Sequence, residues 1–199
     1  MKKPFYGTFI VEEIDSAMDL DGVIIGVPFE DEADFYDEGV KDAPTKIREN
    51  SHFFSGQGMT KESIHQKNFL DIGDIETVDN IHEKHSEIVQ KALSKNAIPI
   101  SIGGDHSVAL STAKGIAKAK KKIDGIIWFD AHLDLMNEFP EGANKTRATV
   151  LRRIVELEII EPQNIYFIGV RGHNLGWEEV EFVNKNKMKY LSAFDLSDQ

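Results

Sequence analysis

The sequence predicts an α/β fold of three layers, with helices on both faces of a mainly parallel sheet. Three observations predict it. Short apolar runs alternate with segments of helical periodicity along the whole length. The two sharpest runs, IPISI at 98–102 and IIWF at 126–129, stop abruptly at Gly or Asp, as strands buried on both faces of a parallel sheet do. With 199 residues and 41% hydrophobic content, the chain can bury one sizeable core, so 1–199 reads as a single domain.

In chain order, residues 5–14 alternate too briefly to separate an arm from a short strand. GVIIGV at 22–27 is the first buried strand, ended by Pro28, and the acidic stretch 30–38 with Phe35 and Tyr36 reads as a loop. Pro44 suits the first turn of a helix through Ile47 and Arg48, with Arg48 placed to pair with a local acid. The polar segment 51–67 has little periodicity and reads as a surface excursion exposing His52 and His65. Residues 69–72 form a short strand, Gly73 turns the chain, and Asp74 is a turn residue or an acid standing behind a site. From Asn80 a helix places Ile81, Ile88, Val89, Ala92 and Leu93 on one face, capped by Asp79 or Asn80 and ended by Asn96. His82 and His85 on that helix have no evident carboxylate partners and read as surface residues. The next helix runs through Val108, Leu110, Ala113, Ile116 and Ala117, and its lysines at 118–122 complement the helix dipole. A strand at 123–129, a loop at 137–145, a helix at 146–157, a strand at 165–170, a helix at 176–187 and a strand at 188–194 complete the alternation.

Ligand sites in parallel sheets lie just past the carboxyl ends of the strands. That rule puts His106 at one strand exit and Asp130, His132 and Asp134 at the next. In an extended segment alternate side chains share a side, so Asp130, His132 and Asp134 can converge. Two carboxylates and an imidazole in a small volume call for a cation, and His106 adds a second nitrogen. Mixed nitrogen and oxygen donors without sulfur suit Mn, Fe(II) or Zn better than Cu(I) or Ca. Bridging carboxylates could hold two ions about 3.5–4 Å apart. Each half alone has a plainer reading, since Asp-x-His is usually a solvated loop and Gly103–Gly104 a turn needing positive φ. Placed after successive strands, both fall at one end of one sheet, and the conjunction is much more specific than either part.

Gly103-Gly104-Asp105-His106-Ser107 and Asp130-Ala131-His132-Leu133-Asp134 resemble the first two signature motifs of the ureohydrolase (arginase/agmatinase) family. GVPF at 26–29, GVKDAP at 39–44 followed by Ile47-Arg48, DIGD at 71–74 and IGVR at 168–171 fall where similar blocks fall in that family. The GVPF block leans towards agmatinase-like members. The resemblance implies an arginase-like fold and a centre of two Mn2+ ions. It also implies hydrolysis of a small guanidino compound such as agmatine to urea and an amine, through a hydroxide bridging the ions, as in polyamine biosynthesis. His106 would ligate one ion and His132 the other, with Asp130 and Asp134 adding carboxylate oxygens, so that Asp130, His132 and Asp134 carry the catalysis. A homo-oligomer is implied as well. Arginase, guanidinobutyrase and formimidoylglutamase are the related alternatives.

The chain departs from the family pattern in two ways. A later Ser-x-Asp-x-Asp motif is absent, so the sequence reads as the N-terminal portion of the family domain, C-terminally incomplete. Arg147 stands where the family carries a substrate-facing histidine; a guanidinium stays protonated and repels a cationic substrate. His173, beyond another strand end, could compensate, although a surface loop is its simpler reading. These departures favour, as the competing reading, a catalytically impaired member with a metal-binding or assembly role.

A net charge of -11 argues against a nucleic-acid partner and would help to draw in a cationic substrate. The chain has no cysteine, which removes disulfides and thiolate metal sites. Residues 1–5 lead into no apolar signal region, and no run approaches the ~20 apolar residues of a membrane span. The cytoplasm is the default location. No G-x-G-x-x-G or P-loop pattern follows any strand, which disfavours a nucleotide-binding domain.

Overall fold

In the first of two compact units, residues 1–119, four strands pair in parallel: β1 (Phe9–Ile10), β2 (Gly22–Val27), β3 (Phe69–Asp74) and β4 (Ile98–Gly103), in the order β1-β3-β2-β4. The computed structural model describes residues 4–10, 14, 19–31, 39–54, 67–76, 79–172 and 175–197. Most of the acidic loop, His65 and His173 lie outside them. GVIIGV is buried along its whole length because it lies inside the sheet, flanked by β3 and β4. Its register sets Ile24 against Asp71 on one side and Ile100 on the other.

Helix α1 (Ala43–Ser51) starts with proline in its first turn, as predicted. It buries Arg48, whose guanidinium closes the β2–β3 side of the sheet. Arg48 Nε and Nη2 donate to Asp71 at 2.8 and 3.1 Å, Nη2 donates to the Gly73 carbonyl at 2.9 Å, and Nη1 donates to Asp74. Burial works against this charge, and the hydrogen bonds to Asp71 and Asp74 more than offset it, so the pKa of Arg48 stands above its ordinary value. The expected local acid is therefore two acids. Asp74 is an ion-pair partner rather than a plain turn residue, and a Cβ on Gly26 would lie only 1.9 Å from its Oδ1.

Helices α2 (Ile81–Ser94) and α3 (Val108–Lys118) pack together, with Gly115 so close that a Cβ there would meet Val89 and the Ser86 carbonyl at 2.6 Å. The core combines Val23, Ile25 and Val27 with Leu70, Val89 and Ala92. Reading His85 as a surface residue is incorrect: it is 0% exposed. It continues the buried stripe Ile81–His85–Val89–Ala92, and two serines make that position habitable. Ser111 donates its own proton to the Val108 carbonyl, so it accepts from His85 Nδ1 at 2.7 Å, while Ser101 lies 2.7 Å from Nε2. Burial, assisted by the neighbouring His82, pushes the His85 pKa down to about 4.

The second unit, residues 120–199, holds a parallel sheet β5 (Ile126–Phe129), β6 (Ile165–Val170) and β7 (Lys189–Ser192) in sequence order. Between them run α4 (Val150–Val155) and α5 (Trp177–Lys185), and α6 (Ala193–Ser197) follows β7. Trp128, Ile165 and Phe167 are buried, as are Leu151 and Ile154 of α4 and Val183 of α5. Helix α4 is shorter than the predicted 146–157 because Thr149 bonds back to Thr146 and holds a separate turn there.

The α/β class with parallel sheets is as the alternation predicts. Burial of 98–102 and 126–129 on both faces is not: β4 and β5 are edge strands, and Ile98, Ile127 and Phe129 are exposed. No helix among the described residues is long and apolar enough to cross a membrane.

Two stability experiments follow from the buried polar groups. Arg48→Met strands two carboxylates and should cost about 3–5 kcal/mol in urea unfolding. His85 binds a proton when unfolded below its ordinary pKa of 6.5 but, folded, only near 4. Its contribution is therefore complete above pH 6.5 and disappears as pH falls towards 4. Between those limits the wild type should lose about 3 kcal/mol more than His85→Gln, read by urea unfolding across the range.

Candidate metal centre

In the first unit the rim of the sheet is built where β2 and β4 end together. The Gly104 N–H donates to the Val27 carbonyl at 3.0 Å, and the Asp105 N–H donates to the Phe29 carbonyl at 3.0 Å. Only glycine fits at 104, since a Cβ would lie 1.9 Å from the Phe29 carbonyl oxygen. Buried Asp105 accepts from the Ser107 N–H at 2.8 Å and from the Ser107 hydroxyl through Oδ1, and from the Asp31 N–H at 3.0 Å through Oδ2. His106 is thus held in the turn into α3 between two immobilised neighbours. It lines a groove of about 440 Å³ beside β4. His82 packs edge-on to Phe29 with centroids 4.3 Å apart. Burial lowers its pKa, opposed by Asp105 and Asp31 and assisted by Lys114.

In the second unit the segment after β5 supplies three candidate ligands. The Asp130 N–H donates to the Ile168 carbonyl at 3.2 Å, and the Arg171 N–H donates to the Ala131 carbonyl at 3.0 Å, which holds the exits of β5 and β6 together. The chain then bends at 130–132, and Asp134 adopts a left-handed φ of 54°. The segment is therefore not extended, and among the described residues Asp130 and Asp134 share a metal-sized grouping that does not include His132. Asp130 Oδ1 accepts from the His132 N–H at 2.8 Å and lies 3.2 Å from His132 Nδ1. Buried Asp134 accepts from Trp128 Nε1–H at 3.2 Å through Oδ2, while its carbonyl takes the N–H groups of Leu151 and Arg152 at 3.0 and 3.3 Å. Asp130 and Asp134 bring carboxylate oxygens within 4.8 Å of each other.

Arg147 occupies the turn before α4 and is half-buried. The neighbouring Ala148 carbonyl accepts the Met136 N–H at 3.1 Å, so this turn is tied to the residues just past Asp134. Sequence reasoning missed Glu179. This buried carboxylate of α5 accepts from the Leu135 N–H at 3.0 Å and the Gly176 N–H at 2.9 Å, anchoring the metal-motif loop to the helix start. The signal was available, because a glutamate three residues after Gly176 has the spacing of a capping box.

The donors fit a divalent ion of the manganese class. The second unit offers an imidazole and two carboxylates held close together, and no cysteine competes for the metal. Like charges within 4.8 Å of each other favour a cation beside them.

Comparison with known proteins gives a consistent picture. A model of the arginase family matches residues 20–199. An uncharacterized 32.2 kDa protein in the hmfB 3' region of Methanothermus fervidus is 35% identical over 181 residues, covering 88% of this chain and 60% of that protein. The N(1)-aminopropylagmatine ureohydrolase of Thermococcus kodakarensis is 31% identical over 184 residues, covering 88% of this chain and 59% of that one. Among solved structures, the formimidoylglutamase of Bacillus subtilis superposes with a TM-score of 0.79 at 25% identity, over 96% of this chain and 60% of that chain. The chain thus spans about three-fifths of the length of the curated relatives it matches.

Glu179→Ala leaves two backbone donors without their acceptor and should cost about 3 kcal/mol, read by the tryptophan emission of the second unit during unfolding. Exposed Glu178, which pairs with Arg152 at 2.8 Å, is the control; its alanine variant should cost under ~1 kcal/mol.

Proposed function

Because the chain belongs to the arginase family, we propose that it carries the metal-ligating part of a manganese-dependent ureohydrolase. The substrate class is a small guanidino compound, agmatinase-like, released as urea and an amine. Residues 1–199 are taken as one ureohydrolase-like domain working in a cytoplasmic homo-oligomer. The observation that carries this reading is the Asp130–Asp134 carboxylate pair at the exit of β5, one member of it buried.

In this reading His106, Asp130, His132 and Asp134 hold two Mn2+ ions. When bound, the ions would acidify water and supply hydroxide near neutral pH. That chemistry is needed because a resonance-stabilised guanidinium carbon resists neutral water. The chain's own groups do the positioning. Donation from His132 Nδ1 to Asp130, over the observed 3.2 Å, directs the Nε2 lone pair outwards as a ligand. Trp128 Nε1–H fixes the plane of the Asp134 carboxylate, and the first turn of α4 fixes its backbone.

The names of two relatives bear on substrate choice. The Thermococcus relative's name points to an alkylguanidine, whereas the formimidoylglutamase likeness points to an amidine carrying carboxylates. Arg147 favours an anionic group on the substrate over a bare guanidinium, and His173 would be a further contact. A second reading has a specific observation behind it: with Arg147 in the turn tied to the segment after Asp134, the chain is a catalytically impaired member that binds metal or assembles.

The deciding experiment combines Mn2+ titration with product assays on agmatine, arginine, guanidinobutyrate and formimidoylglutamate. The expected outcome is two ions per chain and Mn2+-dependent urea from agmatine. Asp130→Asn or Asp134→Asn should weaken metal binding by about 10–100-fold or more. Two bound ions without product select the impaired reading, and failure to bind Mn2+ rejects the hydrolase.

A further inference from the structure

Within the second unit, where β6 and β7 end, lies a cavity of about 280 Å³ that none of the candidate metal ligands lines. Its apolar wall combines Val170 at the end of β6, Val180 and Val183 of α5, and Phe194 of α6. Leu133 enters from the loop after β5. Leu133, Val170 and Val183 are buried, whereas Tyr190 and Phe194 are 62% and 74% exposed. Core residues thus close one side, and exposed aromatic rings border the other.

The polar groups of the cavity are few and mostly donors. Among the described residues Arg171 is the one cation lining it and no carboxylate does, in a chain of net charge -11. Asn184 and Tyr190 add an amide and a phenol. Ser192 also lines it, but its hydroxyl donates to Asp195 at 2.6 Å, so that end is unsuited to an anion. Arg171 is fixed at both ends: its N–H donates to the Ala131 carbonyl and its Nη1 to the Gly169 carbonyl, each at 3.0 Å. A guanidinium has five donors, and no carboxylate among the described residues pairs with this one.

We propose that this cavity binds a small monocarboxylate with an apolar body, its carboxylate on Arg171 and Asn184 and its body against Val180, Val183 and Phe194. Apolar walls with a few convergent polar groups are the usual make-up of a ligand pocket. A guanidinium matches a carboxylate through two parallel hydrogen bonds, which sets the charged end of the ligand. The volume lies just under the usual ~300–1,000 Å³ of ligand pockets, so the body is a single ring or a short chain. The ligand also touches Leu133, which stands between His132 and Asp134, and the Arg171 backbone holds Ala131. Its arrival is therefore felt in the segment that carries the candidate ligands. The inference goes beyond the proposed chemistry, and its readouts involve neither metal nor turnover.

Heteronuclear NMR titration of the 199-residue chain with hydrocinnamate, and with the uncharged hydrocinnamyl alcohol of the same shape, tests it. The expected result is saturable shifts of the Leu133, Arg171, Val183 and Asn184 amides, with α2 and α3 unmoved. The alcohol should bind at least about tenfold more weakly, the worth of one hydrogen bond to a charged group. Arg171→Gln, at an exposed residue, should weaken hydrocinnamate by about the same factor and leave the alcohol unchanged. Val180→Trp, which fills the cavity, should abolish both. The proposal is overturned if hydrocinnamate gives no saturable shifts at these amides, if the alcohol binds as tightly, or if either variant binds hydrocinnamate like the wild type. Comparing acid with alcohol on the wild type decides the matter even where a variant does not fold.

Discussion

Parallel pairing sends every loop that follows a strand to one end of its sheet, and the arrangement of both units follows from that constraint. In the first unit the exits of β2 and β4 are strapped together through Val27, Phe29, Gly104 and Asp105. In the second, the exits of β5 and β6 are joined through Asp130, Ile168, Ala131 and Arg171. Candidate ligands are the residues next to these straps. His106 follows Asp105 directly, and Asp130 is itself part of one. A ligand mounted beside a backbone hydrogen bond between strands has little freedom to drift, which is what a metal site requires.

The same chain shows how it manages buried charge. Asp71 and Asp74 are buried or nearly so, and Arg48 supplies the cation between them. Among the described residues Glu179 has no partner of opposite charge, and it is balanced by two N–H groups instead. His85 avoids charge altogether and is kept neutral by burial between two serines. Asp130 and Asp134 bring carboxylate oxygens within 4.8 Å of each other, an acidic grouping that a divalent ion would suit. The proposed chemistry and the local electrostatics thus make the same demand.

Family membership says less about the substrate than about the metal. A fold hosts many chemistries through changes at its rim, and here the rim carries Arg147 in a turn tied to the segment after Asp134. In the proposed reading, a cation at that place would bear on what can approach the ligands.

Residues that depend on a local rule were legible without coordinates. GVIIGV read as a buried strand, Pro44 as the first turn of a helix, and the two motifs past apolar runs as strand exits, because each follows from side-chain chemistry and chain periodicity. Tertiary structure decided the rest. His85 looked like a surface residue until Ser101 and Ser111, distant in sequence, came within reach of its ring. Among the described residues Asp130 and Asp134 share a metal-sized grouping on a bent segment, not by alternation, and His132 stands outside it. The apolar strands at 98–102 and 126–129 proved to be edges, since the order of strands in a sheet is set by long-range pairing that no local pattern encodes.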